Sequence, residues 1–174
     1  MMNLRLRALE PEDLPYLYAL ENDSQLWQVS ETVVPYSKMV LRSYLKQAHL
    51  PIYESRQLRL VICDQAQDTP VGLVDLYEYC PRNHRAGVGI VVFPESQRGK
   101  GIGQKALELV KTYAYEQLHL CQLYALIGTE NHPSIRAFEQ VGFQQSGLKK
   151  HWLRTATGYQ DVYFYQLIFS QSES

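Results

Sequence analysis

The sequence is short of cysteine, of long apolar runs and of any excess of charge of one sign. Its 174 residues contain three cysteines, 17 basic and 18 acidic side chains, and the formal net charge is -1. Cys63, Cys80 and Cys121 are widely separated and form no C-x-x-C pair, so we expect neither a disulfide framework nor a zinc site. The balanced charge gives no indication of a nucleic-acid partner.

No segment has the pattern of a signal peptide or of a membrane-spanning helix. The first ten residues carry charges at Arg5 and Arg7, and no later run approaches the length needed to cross a membrane. The histidines show no pairing typical of a metal site or of a nucleophilic site. We therefore expect a metal-free protein that is soluble, cytoplasmic and without membrane contact.

Alternating and helical patterns of apolar residues predict one α+β domain over residues 1–174, with a central mixed sheet. Strands are predicted at residues 3–8, 58–64, 71–79, 86–93, 120–127, 144–153 and 161–169. Helices are predicted at residues 11–21, 37–50 and 102–114, and a short one lies between Pro133 and Gly142. A turn at residues 81–84 joins the third and fourth strands.

The most informative local segment is a glycine-rich turn at the start of a predicted helix. It follows a buried strand and consists of Arg98, Gly99, Lys100, Gly101, Ile102 and Gly103. Glycine lets backbone N–H groups approach a phosphate, and the helix N-terminus adds unpaired donors and partial positive charge. A P-loop would need Ser or Thr after the lysine, and the glycine spacing differs from a dinucleotide fingerprint. An anion site and an ordinary strand-to-helix turn both remain open at this point.

A second motif follows the turn at a fitting distance. Residues 129–143 carry Asn131, Ser134 and Phe138 ahead of Gly142 and Phe143. This pattern resembles the N-x-x-S/A…Y/F-x-x-x-G-F signature of the GNAT superfamily of acyl-CoA N-acetyltransferases, and the turn before it resembles that superfamily's R-x-x-G-x-G/A segment. Residues 6–14 resemble the opening of the polyamine and ribosomal-protein branches. The resemblance implies a three-layer α/β/α fold with a mixed, mostly antiparallel sheet flanked by helices.

The resemblance also implies acetyl-CoA as co-substrate and assigns its contacts. Main-chain groups of Ile90, Val91 and Val92 would pair with the pantetheine arm as a neighbouring strand does. The pyrophosphate would be held by Arg98, Gly99, Lys100, Gly101, Ile102 and Gly103. Asn131 would bond the amide region of the pantetheine, with Ser134 and Phe138 beside the thioester. Two alternatives remain, because Asn131 can instead cap the following helix and Phe138 can be an ordinary core residue.

The chemistry implied is transfer to a primary amine, which must first lose a proton because an amine with a pKa of about 10.4 is protonated at neutral pH. Glu78, on the face of its strand opposite Asp75, aligns with an acidic position that polyamine acetyltransferases use around the acceptor. We expect it to be the base, and a solvated strand-end glutamate is the alternative. A main-chain N–H near Val91 would stabilise the developing oxyanion. Many relatives have a tyrosine hydroxyl where this chain has Phe138, so Ser134 is expected to protonate the departing thiolate.

The acceptor is the most open point. The resemblance suggests a polyamine such as spermidine, yet Val33 and Val34 stand where the polyamine branch gathers acidic residues before a Pro-Tyr pair. The acidic side chains nearby are Glu21, Asp23 and Glu31, which we expect to be solvated helix and loop positions. The candidate aromatic walls of an acceptor pocket are Trp27, Tyr36, Tyr44 and Tyr53, and the alternative is that they pack the two helices onto the sheet. A protein N-terminus, a small aromatic amine and a non-catalytic acyl-CoA sensor are the alternatives, and a homo-oligomer is compatible with the sequence.

Overall fold

The structure is a computed structural model that describes residues 2–30 and 32–170. Seven strands in these residues form one sheet in the order β1-β2-β3-β4-β5-β7-β6. Neighbouring strands are antiparallel except β4 and β5, which are parallel, so the sheet is mixed and mostly antiparallel, as predicted. The strands are β1 (Leu4–Ala8), β2 (Leu58–Asp64), β3 (Thr69–Cys80), β4 (Arg85–Val92), β5 (Gln122–Gly128), β6 (Gln144–Thr155) and β7 (Gly158–Ile168).

Helices cover both faces of the sheet. They are α1 (Leu14–Glu21), α2 (Trp27–Ser30), α3 (Lys38–Gln47), α4 (Ile52–Ser55), α5 (Ile102–Glu116) and α6 (His132–Val141). Short 3-10 turns, Pro11–Asp13 and Glu95–Gln97, precede α1 and α5. The long helix α5 covers one face together with α6, while α1 and α3 cover the other.

The alternation of side chains along the strands produces these layers. Ile62 of β2 packs in the core beneath α5 and α6. Its neighbours Val61 and Cys63 belong to a second core cluster with Leu17 of α1 and Leu41 of α3. Successive residues of a strand point to opposite faces, so one strand supplies both cores. The three-layer α/β/α arrangement follows.

Most predicted elements are confirmed with shifted ends. The helix predicted over residues 37–50 is capped by Ser37, whose hydroxyl accepts a hydrogen bond from the Val40 N–H at 3.2 Å, but α3 ends at Gln47. The strand predicted from residue 120 begins at Gln122. Neither α2 nor α4 was predicted, because a single four-residue turn is too short to show a helical period.

The described ranges contain neither a candidate membrane span nor a clustered metal site. Residues 2–30 and 32–170 contain no helix long and apolar enough to cross a membrane. The same ranges contain no group of three or more histidine, cysteine, aspartate or glutamate side chains arranged to hold a metal ion.

Candidate active site

The two parallel strands at the centre of the sheet separate after a short paired stretch. β4 and β5 pair only where Arg85, Ala86 and Gly87 lie opposite residues 122–124. Beyond Gly87, β4 continues to Val92 and stays paired with β3 on its other side. In the described part of the chain, the edge of residues 88–92 that faces β5 has no strand partner there. Unpaired main-chain groups on such an edge can pair with an extended ligand.

Ile90, Val91 and Val92 are the residues for which the sequence predicts pairing with a pantetheine arm. All three are half-buried and lie on this open edge. These residues therefore lie in the stretch of β4 that is open to an extended ligand on its β5 side.

The glycine-rich turn lies directly after the open edge, ahead of α5. Gly99 and Gly101 have φ of +76° and +74°, which is the left-handed region that favours glycine. A Cβ built at either position would meet no atom within 4 Å, so open space adjoins both. No side chain caps α5, whose first turn begins at Ile102, so its N–H groups are available to an anion. The turn has the space and the free N–H groups that an anion needs, and its binding of a pyrophosphate stays a prediction.

The two cations of the turn make only loose contacts with the protein. The Arg98 guanidinium donates to the Val92 carbonyl oxygen at 3.4 Å and lies 3.6 Å from the Glu95 carboxylate. The Lys100 ammonium donates to the Gln97 side chain at 3.1 Å. Exposed contacts of this kind contribute at most about 1 kcal/mol, so both cations can turn toward a bound phosphate.

Glu78 lies at a β-bulge near the end of β3. The β3–β4 register passes from Tyr77 opposite Gly87 to Cys80 opposite Arg85, and Glu78 has a φ of +49°. Its exposed carboxylate accepts a hydrogen bond from the hydroxyl of Tyr124. The prediction that Glu78 lies on the face opposite Asp75 is wrong. The inserted residue breaks the alternation, so Glu78 reaches the face that carries Asp75 and Tyr77.

Aromatic rings surround this carboxylate. The Tyr77 ring lies against Gly87, where it occupies the space that a side chain at that position would need. Tyr124 packs edge-on to Tyr77 with ring centroids 5.9 Å apart and stacks on Phe164 at 5.5 Å. Burial and the hydrogen bond to Glu78 raise the pKa of Tyr124, so its hydroxyl remains a donor at neutral pH. Sequence reasoning missed Tyr124, because nothing local links it to Glu78.

The second motif forms α6, which follows β5 directly across the gap from β4. The Asn131 side chain accepts a hydrogen bond from the Ser134 N–H at 3.3 Å and caps the helix. Phe138 is 2% exposed and packs edge-on to Phe143 at 4.9 Å. The cap and core alternatives therefore describe the observed contacts of Asn131 and Phe138. Their contacts with a bound donor stay predictions, as does the role of half-buried Ser134.

An ion-pair cluster on the same face as Glu78 was also missed. The Arg59 guanidinium binds Asp75 through two hydrogen bonds, of 2.6 and 2.9 Å, and Glu21 through one of 2.5 Å. The Tyr44 ring lies 5.5 Å from the guanidinium carbon and lines a cavity, and its place in an acceptor pocket stays a prediction. Glu21, expected to be a solvated position, is instead half-buried in this cluster.

Among the described residues, the others considered for the acceptor site do not line the cavity beside Arg59. The Trp27 indole donates to the main-chain oxygen of Glu21 at 2.9 Å. The Tyr53 ring packs edge-on to Tyr79 at 5.6 Å. Val33 and Val34 are exposed. Glu31 lies outside the described residues.

Comparison with known proteins is consistent with this geometry. Residues 3–144 match the model of the acetyltransferase (GNAT) domain family. The spermidine N(1)-acetyltransferase of Escherichia coli (strain K12) is 33% identical over 150 residues, covering 86% of this chain and 77% of that protein. The spermidine N(1)-acetyltransferase of Vibrio cholerae is 30% identical over 159 residues, covering 91% and 89%.

A solved structure extends the likeness to the whole fold. The crystal structure of spermidine N-acetyltransferase from Vibrio cholerae in complex with CoA and spermine matches with a TM-score of 0.85 at 26% identity, covering 95% of both chains. The predicted fold class and superfamily are thereby confirmed. Because the family model spans most of its length, this chain belongs to the acetyltransferase (GNAT) domain family and is an acetyl-CoA-dependent N-acetyltransferase with spermidine N-acetyltransferases among its relatives.

Proposed function

We propose that this enzyme acetylates a primary amine of a polyamine such as spermidine, by direct transfer from acetyl-CoA in a ternary complex. The observation that carries the proposal is the likeness, over 95% of both chains, to a spermidine N-acetyltransferase that binds CoA and spermine. The exposed carboxylate of Glu78 near the start of the gap supports it from this chain's own residues.

The residues around the gap fit the donor. Main-chain groups of Ile90, Val91 and Val92 hold the pantetheine arm, and the turn of residues 98–103 holds the pyrophosphate. Bound acetyl-CoA supplies an acetyl group activated as a thioester. A main-chain N–H near Val91, on the edge of β4 that faces β5, donates to the carbonyl oxygen that gains negative charge as the amine attacks.

Glu78 takes the proton from the attacking amine. An amine of pKa about 10.4 is cationic at neutral pH, so an adjacent carboxylate first attracts it and then accepts its proton, directly or through water. The Tyr124 hydroxyl holds the Glu78 carboxylate in place. Glu78 thereby acts as the general base.

Ser134 passes a proton to the departing thiolate and takes one from adjacent water as it does so, which leaves no alkoxide. Phe138 carries no hydroxyl, and its ring is buried against Phe143. Ser134, in the first turn of α6, is half-buried, with its N–H held by Asn131. A thiol of pKa about 8.5 is a moderate leaving group, so a weak acid such as a serine hydroxyl suffices.

A protein N-terminus is the second candidate acceptor. Val33 and Val34 are 84% and 59% exposed, which is unusual for adjacent apolar side chains of a surface loop that contacts only water. Such a pair suits an apolar peptide better than a polycation. An assay of the proposed function should therefore include both polyamines and peptides as acceptors.

The test is acceptor-dependent thiol release from acetyl-CoA with spermidine, spermine, a monoamine, an aminoglycoside and alanine-terminated peptides, with the products identified by mass spectrometry. The proposal predicts kcat/KM for the polyamines well above that for every other amine. Acetylation of the peptides with no turnover of polyamines would replace it with the N-terminal function. CoA binding without release for any acceptor would contradict both.

A further inference from the structure

A cavity of about 260 Å³ lies on the face of the sheet that carries Glu78. Its walls come from α3, β2 and β3 and include Tyr44, Leu58, Arg59, Asp75 and Tyr77. We call this cavity the Arg59 pocket. Two walls are aromatic, and a carboxylate lies beside a guanidinium. An ammonium group in the pocket can pair with the carboxylate and pack against the rings.

The Arg59 pocket borders the beginning of the gap between β4 and β5. In the β3–β4 ladder Asp75 lies opposite Gly89, and Tyr77 lies opposite Gly87, where the pairing of β4 with β5 ends. Residues opposite each other in antiparallel strands are about 5 Å apart. A molecule that reaches from the pocket into the gap therefore passes beside Asp75 and Glu78.

The ion-pair cluster beside the pocket carries one more negative charge than positive. Burial alone would lower the pKa of Arg59, but the carboxylates of Asp75 and Glu21 raise the pKa above its ordinary value, so the guanidinium stays charged. One guanidinium thus faces two carboxylates. The Glu21 side chain is 12% exposed and that of Asp75 is 35% exposed, so Asp75 is the more accessible of the two acidic groups.

The opposite side of this face carries positive charge. The Lys149 ammonium of β6 lies 4.1 Å from the Trp152 ring centroid and 6.0 Å from that of Phe164, which stacks on Tyr124. A polycation entering the gap is therefore repelled from the β6 side and attracted to the β3 side, where Asp75 and Glu78 lie.

We propose that the Arg59 pocket binds an ammonium group of the acceptor other than the one acetylated, with Asp75 as the specificity-determining residue and Arg59 as its positioning residue. The inference rests on the proposed polyamine function and deepens it. Asp75 supplies the counter-charge and the rings of Tyr44 and Tyr77 supply the walls. Arg59 fixes the Asp75 carboxylate through its two hydrogen bonds and ties it to α1 through Glu21.

The test compares Asp75→Asn with the wild-type enzyme on spermidine and on butylamine, which has one amine. We expect KM for spermidine to rise at least about tenfold, equivalent to ~1.4 kcal/mol, while KM for acetyl-CoA and the kinetics with butylamine change little. Arg59→Lys keeps the positive charge and loses the paired hydrogen bonds to Asp75. It should therefore also raise KM for spermidine relative to KM for butylamine, but by less than Asp75→Asn does. The matched control is Asp68→Asn, in the exposed ion pair with Arg5.

A second variant keeps the proposal testable if Asp75→Asn does not fold. Asp75→Glu retains the charge and moves the carboxylate further from β3 by one methylene, so the preferred diamine in a series of increasing length should become shorter. An unchanged length optimum, or equal effects of Asp75→Asn on spermidine and butylamine, would overturn the proposal.

The two proposals fail in different ways. Wild-type enzyme that acetylates only peptides or other non-polyamine acceptors removes the polyamine function and this inference with it. Wild-type enzyme that prefers spermidine, with the preference intact in Asp75→Asn, removes only the inference.

Discussion

The hydroxyl of Tyr124 on β5 donates a hydrogen bond to the carboxylate of Glu78 on β3, across the intervening strand β4. The bond forms because a bulge turns Glu78 toward the face on which Tyr124 lies. It joins the two strands that flank β4 at the level where β4 and β5 begin to separate. The carboxylate is thereby held at the point where the proposed acceptor amine enters.

Replacing Glu78 with glutamine should remove the general base while keeping the size and shape of the side chain. We expect kcat/KM for the amine to fall by about 10²- to 10⁴-fold at neutral pH, with KM for acetyl-CoA unchanged. The deficit should shrink as the pH rises toward the amine pKa, because more acceptor is then already deprotonated. Steady-state kinetics from pH 7 to 10 measure this. Exposed Glu116 on α5 provides the control Glu116→Gln, which should behave as wild type.

Gly101→Ala should weaken donor binding without impairing chemistry. Alanine at a φ of +74° costs roughly 1–2 kcal/mol, and its methyl group occupies space proposed for the pyrophosphate. KM for acetyl-CoA should rise severalfold, with kcat nearly constant. Gly147→Ala is the control, because its added Cβ makes only an ordinary contact with Phe164 at 3.6 Å. Equal KM values in the two variants would argue against phosphate binding at the turn.

Ser134→Ala should lower kcat more than it raises KM for acetyl-CoA, because the hydroxyl is needed only when the thiolate departs. Unchanged turnover would remove Ser134 from the mechanism.

Phe138→Tyr should fold and retain activity, and burial of its added hydroxyl should reduce stability by about 1–3 kcal/mol if that hydroxyl has no partner. Turnover and thermal unfolding of both variants give the readout.

The Arg7–Asp13 ion pair should make stability depend on pH in the acid range. Burial raises the pKa of Asp13, but hydrogen bonds from Arg7 at 2.7 and 2.8 Å and from the Glu10 N–H at 2.8 Å outweigh it and bring the pKa below its usual value. This contribution is present above the unfolded pKa of about 3.9 and is lost as pH falls through the lower folded pKa.

Asp13→Asn should therefore cost up to about 3 kcal/mol of unfolding free energy at pH 7, since half-buried Arg7 is left with the exposed Asp68, at 3.8 Å, as a counter-charge. The difference from wild type should shrink below pH 4. Denaturant unfolding at pH 7 and at pH 3.5 tests both statements. Asp68→Asn, whose carboxylate is 63% exposed, should cost less than about 1 kcal/mol at either pH.

Features encoded in short stretches of sequence could be predicted. The turn of residues 98–103 shows its glycine spacing locally, and the structure gives Gly99 and Gly101 the backbone conformation that the pattern indicates. The buried strand before the turn and the helix after it are likewise local patterns. Only the resemblance, however, linked residues 90–92 to an open strand edge.

Features that depend on register could not be predicted. The face of Glu78 depends on a bulge that appears only when β3 is aligned with β4. The Arg59 cluster joins residues 38 and 16 positions apart in sequence, and its formation requires α1 to pack over β2 and β3. Strand alternation at Arg59 and Asp75 shows that both can share a face, but not that they are neighbours.

The most direct test of the proposed site is a crystal structure of the protein with CoA and spermidine bound. We expect the pyrophosphate to accept hydrogen bonds from main-chain N–H groups of residues 99–103, and the pantetheine to pair with residues 90–92. The nearest primary amine of spermidine should lie beside the Glu78 carboxylate. A pyrophosphate bound away from the turn, or a spermidine amine on the face opposite Glu78, would contradict the site proposed for acetyl transfer.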